Sequence, residues 1–162
     1  MKINQPSLFI IFIVILLLNV ETTRGKVCYT ASVYADWDFN FTCNGKPFNV
    51  TDIYVDICYS HFWKTYVPIQ HIKTPTSVGH YNLSFYQHVH GGIVFWLYAR
   101  IYHLCHPTEN ESTTWPYHCT FWPRVDTYSC SSPYLIPFVM HIDLSKSGRY
   151  GSECHVIYKH KH

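Results

Sequence analysis

The chain has 162 residues and little charge: Asp, Glu, Lys and Arg together make up 14% of it, with a formal net charge of +2. No cluster of Lys and Arg is present. Neutralising a phosphate backbone needs such a cluster, so nucleic acid is not an expected partner. No Cys-x-x-Cys pair occurs, which argues against a structural zinc site. Helical periodicity is scarce, and the sequence carries neither an internal repeat nor a low-complexity segment. Past the N-terminus no apolar run is long enough to anchor the chain in a bilayer.

What is present begins with an export signal. Lys2 supplies a positive end, Leu8 to Leu18 form an unbroken apolar core, and Thr23 and Gly25 are the small residues before a cut at Lys26. This pattern predicts a secretory signal peptide over 1–25, the apolar core being short for a membrane anchor. Residues 26–158 are then expected to form one domain and 159–162 a flexible tail. The mature protein is expected to be secreted and extracellular, without a membrane anchor. All seven cysteines follow the cut, and export makes disulfides their expected state. Their odd number leaves at least one thiol free or bonded to a second chain. Asn40, Asn49, Asn82 and Asn110 each open an Asn-x-Ser/Thr sequon and are expected glycosylation sites. The 12 histidines give a charge that rises steeply in an acidic compartment.

Alternating apolar and polar residues predict strands at Ala31–Thr42, Val50–Tyr59, Tyr66–Ile72, Tyr81–Tyr86 and Gly91–His103. Thr120–Tyr128, bent at Pro123, and Phe138–Leu144 complete the set. Cys43-Asn44-Gly45-Lys46-Pro47 reads as a turn. An all-β sandwich of about seven short strands follows. Gly91–Cys105 stands at its centre. Alternation places Phe95, Leu97, Ala99, Ile101 and His103 on one face, and Trp96, Tyr98, Arg100 and Tyr102 on the other. Aromatic residues make up 18% of the chain, more than one core readily uses. Rings with polar tips are enriched at interfaces, so Trp96, Tyr98, Arg100 and Tyr102 form the candidate partner-binding set.

Several stretches resemble the nematode transthyretin-like family of secreted proteins, in that family's order. Cys43-Asn44-Gly45-Lys46-Pro47 is similar to its Cys-x-Gly-Lys-Pro. Thr76 to Leu83 resembles its T-x-x-G-x-F-x-L, with Tyr81 in place of Phe. Ile101-Tyr102-His103-Leu104-Cys105 resembles its I-Y-H-x-C. Cys119, then Ile142-Asp143-Leu144 and Cys154, are similar to its later cysteine, closing strand and final cysteine. The family's acidic segment is replaced by His61-Phe62-Trp63-Lys64, and Cys28, Cys58 and Cys130 are additions, which marks a divergent member. The resemblance implies a transthyretin-like, or prealbumin-like, β-sandwich. It also implies disulfides Cys105–Cys119 and Cys43–Cys154, and we pair the added Cys28 with Cys58. Cys130 is then the odd thiol, open to a disulfide-linked dimer.

No catalytic residue is expected. A purine-pathway hydrolase sharing the transthyretin fold ends in Tyr-Arg-Gly-Ser, whereas Arg149-Tyr150-Gly151-Ser152 has a swapped order and is internal. Cys105 has His103 and His106 beside it, but a disulfide-bonded cysteine is no nucleophile. His88-x-His90 and His160-x-His162 have a spacing that suits imidazole ligation of copper or zinc, yet neither has an adjacent carboxylate. The sequence thus points to a secreted, non-catalytic binder of a protein or a hydrophobic small molecule, with no cofactor. A histidine-based metal binder is the alternative, and a hydrolase a more distant one.

Overall fold

The structure is a computed structural model that describes residues 25–59, 65–106, 116–133, 136–148 and 150–159. The expected signal segment, Trp63, Asn110, Trp115, Arg149, His160 and His162 lie outside these residues, apart from Gly25. The described chain is all-β, with one 3-10 turn at Val125–Thr127. Its strands are β1 (Lys26–Val27), β2 (Ser32–Cys43), β3 (Lys46–Pro47), β4 (Asp52–Tyr59), β5 (Thr65–Ile72) and β6 (His80–His88). They continue with β7 (Val94–His103), β8 (Tyr117–Phe121), β9 (Tyr128–Ser129), β10 (Phe138–Asp143), β11 (Ser152–Glu153) and β12 (Val156–Lys159).

Two mixed sheets form a sandwich-type arrangement, and each is built around one long strand. In the first, the order is β11-β8-β7-β4-β5, with β1 also paired to β7. In the second, β12-β10-β2-β3 is extended by β6 and β9 on β2. The β10–β2 and β11–β8 pairings are parallel and the others antiparallel. Val33, Ala35, Trp37, Phe39 and Phe41 of β2 face Phe95, Leu97, Ala99 and Ile101 of β7 across one buried core. These are the inward sets that alternation predicts, because neighbouring side chains on a strand take opposite faces. The Trp37 indole N–H donates to the Thr127 carbonyl at 2.8 Å, which satisfies the one polar atom of this buried ring.

The cysteines pair differently from expectation. The bonds are Cys28–Cys130, Cys43–Cys105 and Cys119–Cys154, and Cys58 is a buried free thiol. Parity explains Cys58. Ile53, Val55 and Ile57 of β4 point into the core, so Cys58 takes the outer face and does not meet Cys28, which is packed within the core. Cys130 follows β9 and reaches Cys28 instead; it is therefore not open to a second chain. Cys43 ends β2 and Cys105 lies just beyond β7, so their bond joins the two sheets. Cys119 points inward from β8, where Cys154, directly after β11, meets it. The resemblance had been read along the chain, whereas which sulfurs meet is decided across the sheets.

The strand limits also differ in places. The sixth strand starts at Tyr117 and ends at Phe121 before Pro123. Lys159, expected in the tail, pairs with Val139 within β12.

Candidate functional site

The first sheet's outer face carries the four residues of the candidate partner-binding set. Trp96, Tyr98, Arg100 and Tyr102 lie along β7 with the same orientation, each half-buried. Register then brings in neighbours that β7 alone does not reveal. Asp56 of β4 stands beside Tyr98 and Tyr54 beside Arg100. Thr120 and His118 of β8 flank Arg100 and Tyr102. Cross-strand partners on one face sit about 5 Å apart, close enough for rings to pack.

The rings gather into two clusters. In one, Tyr98 is held between Tyr66 of β5, with centroids 5.4 Å apart, and Trp122 just past β8, at 4.6 Å. Tyr66 is 46% exposed and Trp122 45% exposed. In the other, Tyr102 lies between Tyr54 at 5.6 Å and His118 at 5.2 Å, and Tyr54 stacks on His71 at 4.1 Å. Arg100 stands between the clusters. Its guanidinium donates to Asp56 Oδ2 at 2.8 Å and lies 5.3 Å from the centroid of the Tyr54 ring. Its Nε is buried and makes no hydrogen bond among the described residues. Asp56 is 3% exposed, so this carboxylate is held in place by its arginine and its strand rather than by water. A hydrogen bond between His71 Nε2 and Asp52 Oδ1 at 2.6 Å marks the far rim.

Trp96, Tyr98 and Tyr102 are thus neither sealed into a core nor fully open. The Tyr98 and Tyr102 rings are braced by neighbours, Trp96 joins neither cluster, and Tyr66 and Trp122 present their outer surfaces. Cys58 lies beneath this layer, paired in register with Trp96 on one side and Tyr66 on the other. Burial, with the Cys58 thiol beside it, pushes the Tyr66 phenol above its ordinary pKa. Beyond Trp122 the face runs into a recess of about 260 Å³ that Arg124, Glu153 and Tyr158 also line. Bracing of this kind leaves large rings with little rotamer freedom to lose on binding. An apolar surface with one cation, Arg100, fixed at its centre by the buried Asp56 carboxylate can cover a hydrophobic partner while orienting a polar group on it.

The histidines do not converge. His88 Nδ1 lies 3.2 Å from the Ala31 carbonyl, whereas the His90 ring packs on Tyr59 at 4.9 Å. Among the described residues no three His, Cys, Asp or Glu side chains are grouped to hold a metal ion. His103 points into the core and is 1% exposed. Its Nδ1 accepts the Cys105 N–H at 3.2 Å. Burial, aided by His106 and His118, lowers its pKa to about 4. It is a neutral structural imidazole at the end of β7. The described part of the Arg149–Ser152 segment is a turn: Tyr150 and Gly151 have φ of 55° and 87°, and the Gly151 N–H donates to the His118 carbonyl at 2.9 Å.

The sequons fall elsewhere. Asn40 and Asn82 lie on the outer face of the second sheet, and Asn49 is exposed in the connection after β3. Compared with family models, curated proteins and solved structures, the chain matches none.

Proposed function

We propose that this chain is a secreted, non-catalytic binding protein of the transthyretin-like type, and that it engages an extracellular protein or hydrophobic small molecule through the outer face of β5-β4-β7-β8. The observation that carries the reading is the asymmetry of the two outer faces. One gathers two ring clusters around the Arg100–Asp56 pair. The other carries the described strand sequons, with Asp38, Asn40, His80 and Asn82 on it, and a single ring group, Tyr34, Tyr86 and His88, at one end with no arginine among it. Glycans on that side leave the aromatic side clear. Export is supported by the signal-like N-terminus and by the three disulfides, which persist in oxidising compartments. Support for the transthyretin type is limited to the all-β arrangement of two sheets, since the Cys105–Cys119 bond that the resemblance implies is not formed.

The test compares the secreted wild type with a Tyr66→Ala/Trp122→Ala variant. Both residues are about half exposed, so the variant is expected to fold, with its melting temperature lowered only by the loss of their two ring contacts to Tyr98. It is also expected to lose most capture of the partner from extracellular fluid, since exposed aromatic anchors typically contribute about 1–3 kcal/mol each. A folded variant that captures the same partner equally well would remove this face from consideration.

A further inference from the structure

The second sheet carries its own cleft, of about 540 Å³, a size within the roughly 300–1,000 Å³ range of small-ligand sites. Asn40, in the last third of β2, lines it. In register, Asn40 stands directly between His80 of β6 and His141 of β10. Thr76 and Ser77 wall one end and Lys159 and Asp38 also line it. Asn40 opens the sequon Asn40-Phe41-Thr42. Its amide differs from those of the two other described sequons. The Asn82 nitrogen donates to Asp38 Oδ1 at 2.9 Å, and the Asn49 oxygen accepts the Gly79 N–H at 2.8 Å. No described residue engages either end of the Asn40 amide. An unbound carboxamide, half-buried in the lining of the cleft, is thereby left over by the fold.

We infer that the occupant of this cleft is the protein's own N-linked glycan: the first sugar is joined to Asn40 and seats between the His80 and His141 rings. The inference rests on the export reading above. In the reaction the donor is an oligosaccharide linked through diphosphate to a lipid. The Asn40 Nδ2 forms a bond to C1 of the first N-acetylhexosamine, the C1–O bond to the diphosphate breaks, the lipid diphosphate leaves, and one Nδ2 proton passes to solvent. The order of folding permits this. Both neighbours of Asn40 in the sheet come from later in the chain, and β10 comes from about a hundred residues on. The sequon is therefore unpaired while the chain is being exported. Once folded, the C–H faces of a pyranose suit the two imidazole planes, and the Thr76 and Ser77 hydroxyls and the Lys159 ammonium suit its oxygens.

The test uses the full chain made by a secreting eukaryotic cell. Glycan release in heavy-oxygen water, followed by peptide mapping, reads which sequons were occupied. Asn40 is expected to be occupied. Nuclear Overhauser contacts are expected between the first sugar's N-acetyl methyl group and the His80 and His141 ring protons. The Asn40→Gln variant is expected to raise the His141 pKa, because the sugar adds to the burial that already holds it down ahead of Lys159 and His80. Should Asn40→Gln fail to fold, Thr42→Ala removes the same glycan and Thr42→Ser is expected to keep it. A bare Asn40 beside occupied Asn49 or Asn82 overturns the inference and leaves export intact, as does an occupied Asn40 whose sugar contacts neither histidine. A chain retained in the cell with every sequon bare overturns the export reading, and this inference with it.

Discussion

At the scale of single residues, Asp56 and His103 are set by burial in opposite ways. Asp56 remains beside its cation, Arg100, which is only partly exposed. Removing one partner of a buried pair costs about 3–5 kcal/mol, and the partial exposure of Arg100 reduces this, so Asp56→Asn is expected to cost about 2 kcal/mol by urea unfolding. An unchanged midpoint would show the pair to be idle. His103 is buried as the neutral form, with its pKa lowered from 6.5 to about 4. The unfolded chain binds a proton there that the folded chain refuses. Stability from this group is thus complete above pH 6.5 and is lost as pH falls from 6.5 towards 4, a loss of about 3 kcal/mol by linkage. His103→Asn keeps an acceptor for the Cys105 N–H and removes the titration. Its unfolding free energy is expected to fall less steeply over that window, by about one bound proton. An identical slope would place the acid sensitivity on other histidines.

At the scale of elements, the sequence was informative wherever one strand's own pattern decides its fate. The inward faces of β2 and β7 were legible because each alternates over many residues with large apolar side chains on one side. β12 was not, since Val156–Lys159 is short and leads into a basic tail. Nor was the start of β8, where Tyr117 adjoins a polar, proline-containing segment. Cross-strand register has no signature within a single strand, so Tyr54, Asp56, Tyr66 and Trp122 did not show themselves as neighbours of the β7 residues. Pattern alone placed Tyr54 and Asp56 on β4's outer side, which was the available clue. A turn ahead of β6 shows the opposite case, in which a motif has a plain local reason. Gly79 has φ of +75°, and a Cβ there would lie 2.7 Å from the Phe41 carbonyl oxygen and 2.9 Å from the Phe48 nitrogen. Its N–H is also the donor to Asn49. Gly79→Ala is expected to destabilise by about 1–3 kcal/mol, from strain at positive φ and from the clash. A melting temperature equal to that of wild type would contradict the described turn.

At the scale of the whole molecule, two disulfides bind the sheets together near opposite ends of β2, and a third ties β8 to the chain after β11. Non-reducing peptide mapping is expected to return Cys28–Cys130, Cys43–Cys105 and Cys119–Cys154. One thiol, Cys58, is expected to alkylate only in denaturant. A Cys105–Cys119 peptide would contradict this arrangement. With sequence separations of 35 to 102, each bond contributes roughly 4 kcal/mol in the chain-entropy model, by restricting the unfolded chain. The two outer faces of the sandwich differ, with sequon-bearing strands on one side and braced rings around Arg100 on the other. The most direct measurement places a photoreactive phenylalanine analogue at Trp122 in one preparation and at Ser84, on the opposite outer face, in another. Each is then irradiated in extracellular fluid from the source. A discrete cross-linked product is expected from position 122 that excess wild type suppresses and excess Tyr66→Ala/Trp122→Ala does not, with none from position 84. A product from position 84 alone, or one from position 122 that the variant suppresses equally, would contradict binding through the face around Arg100.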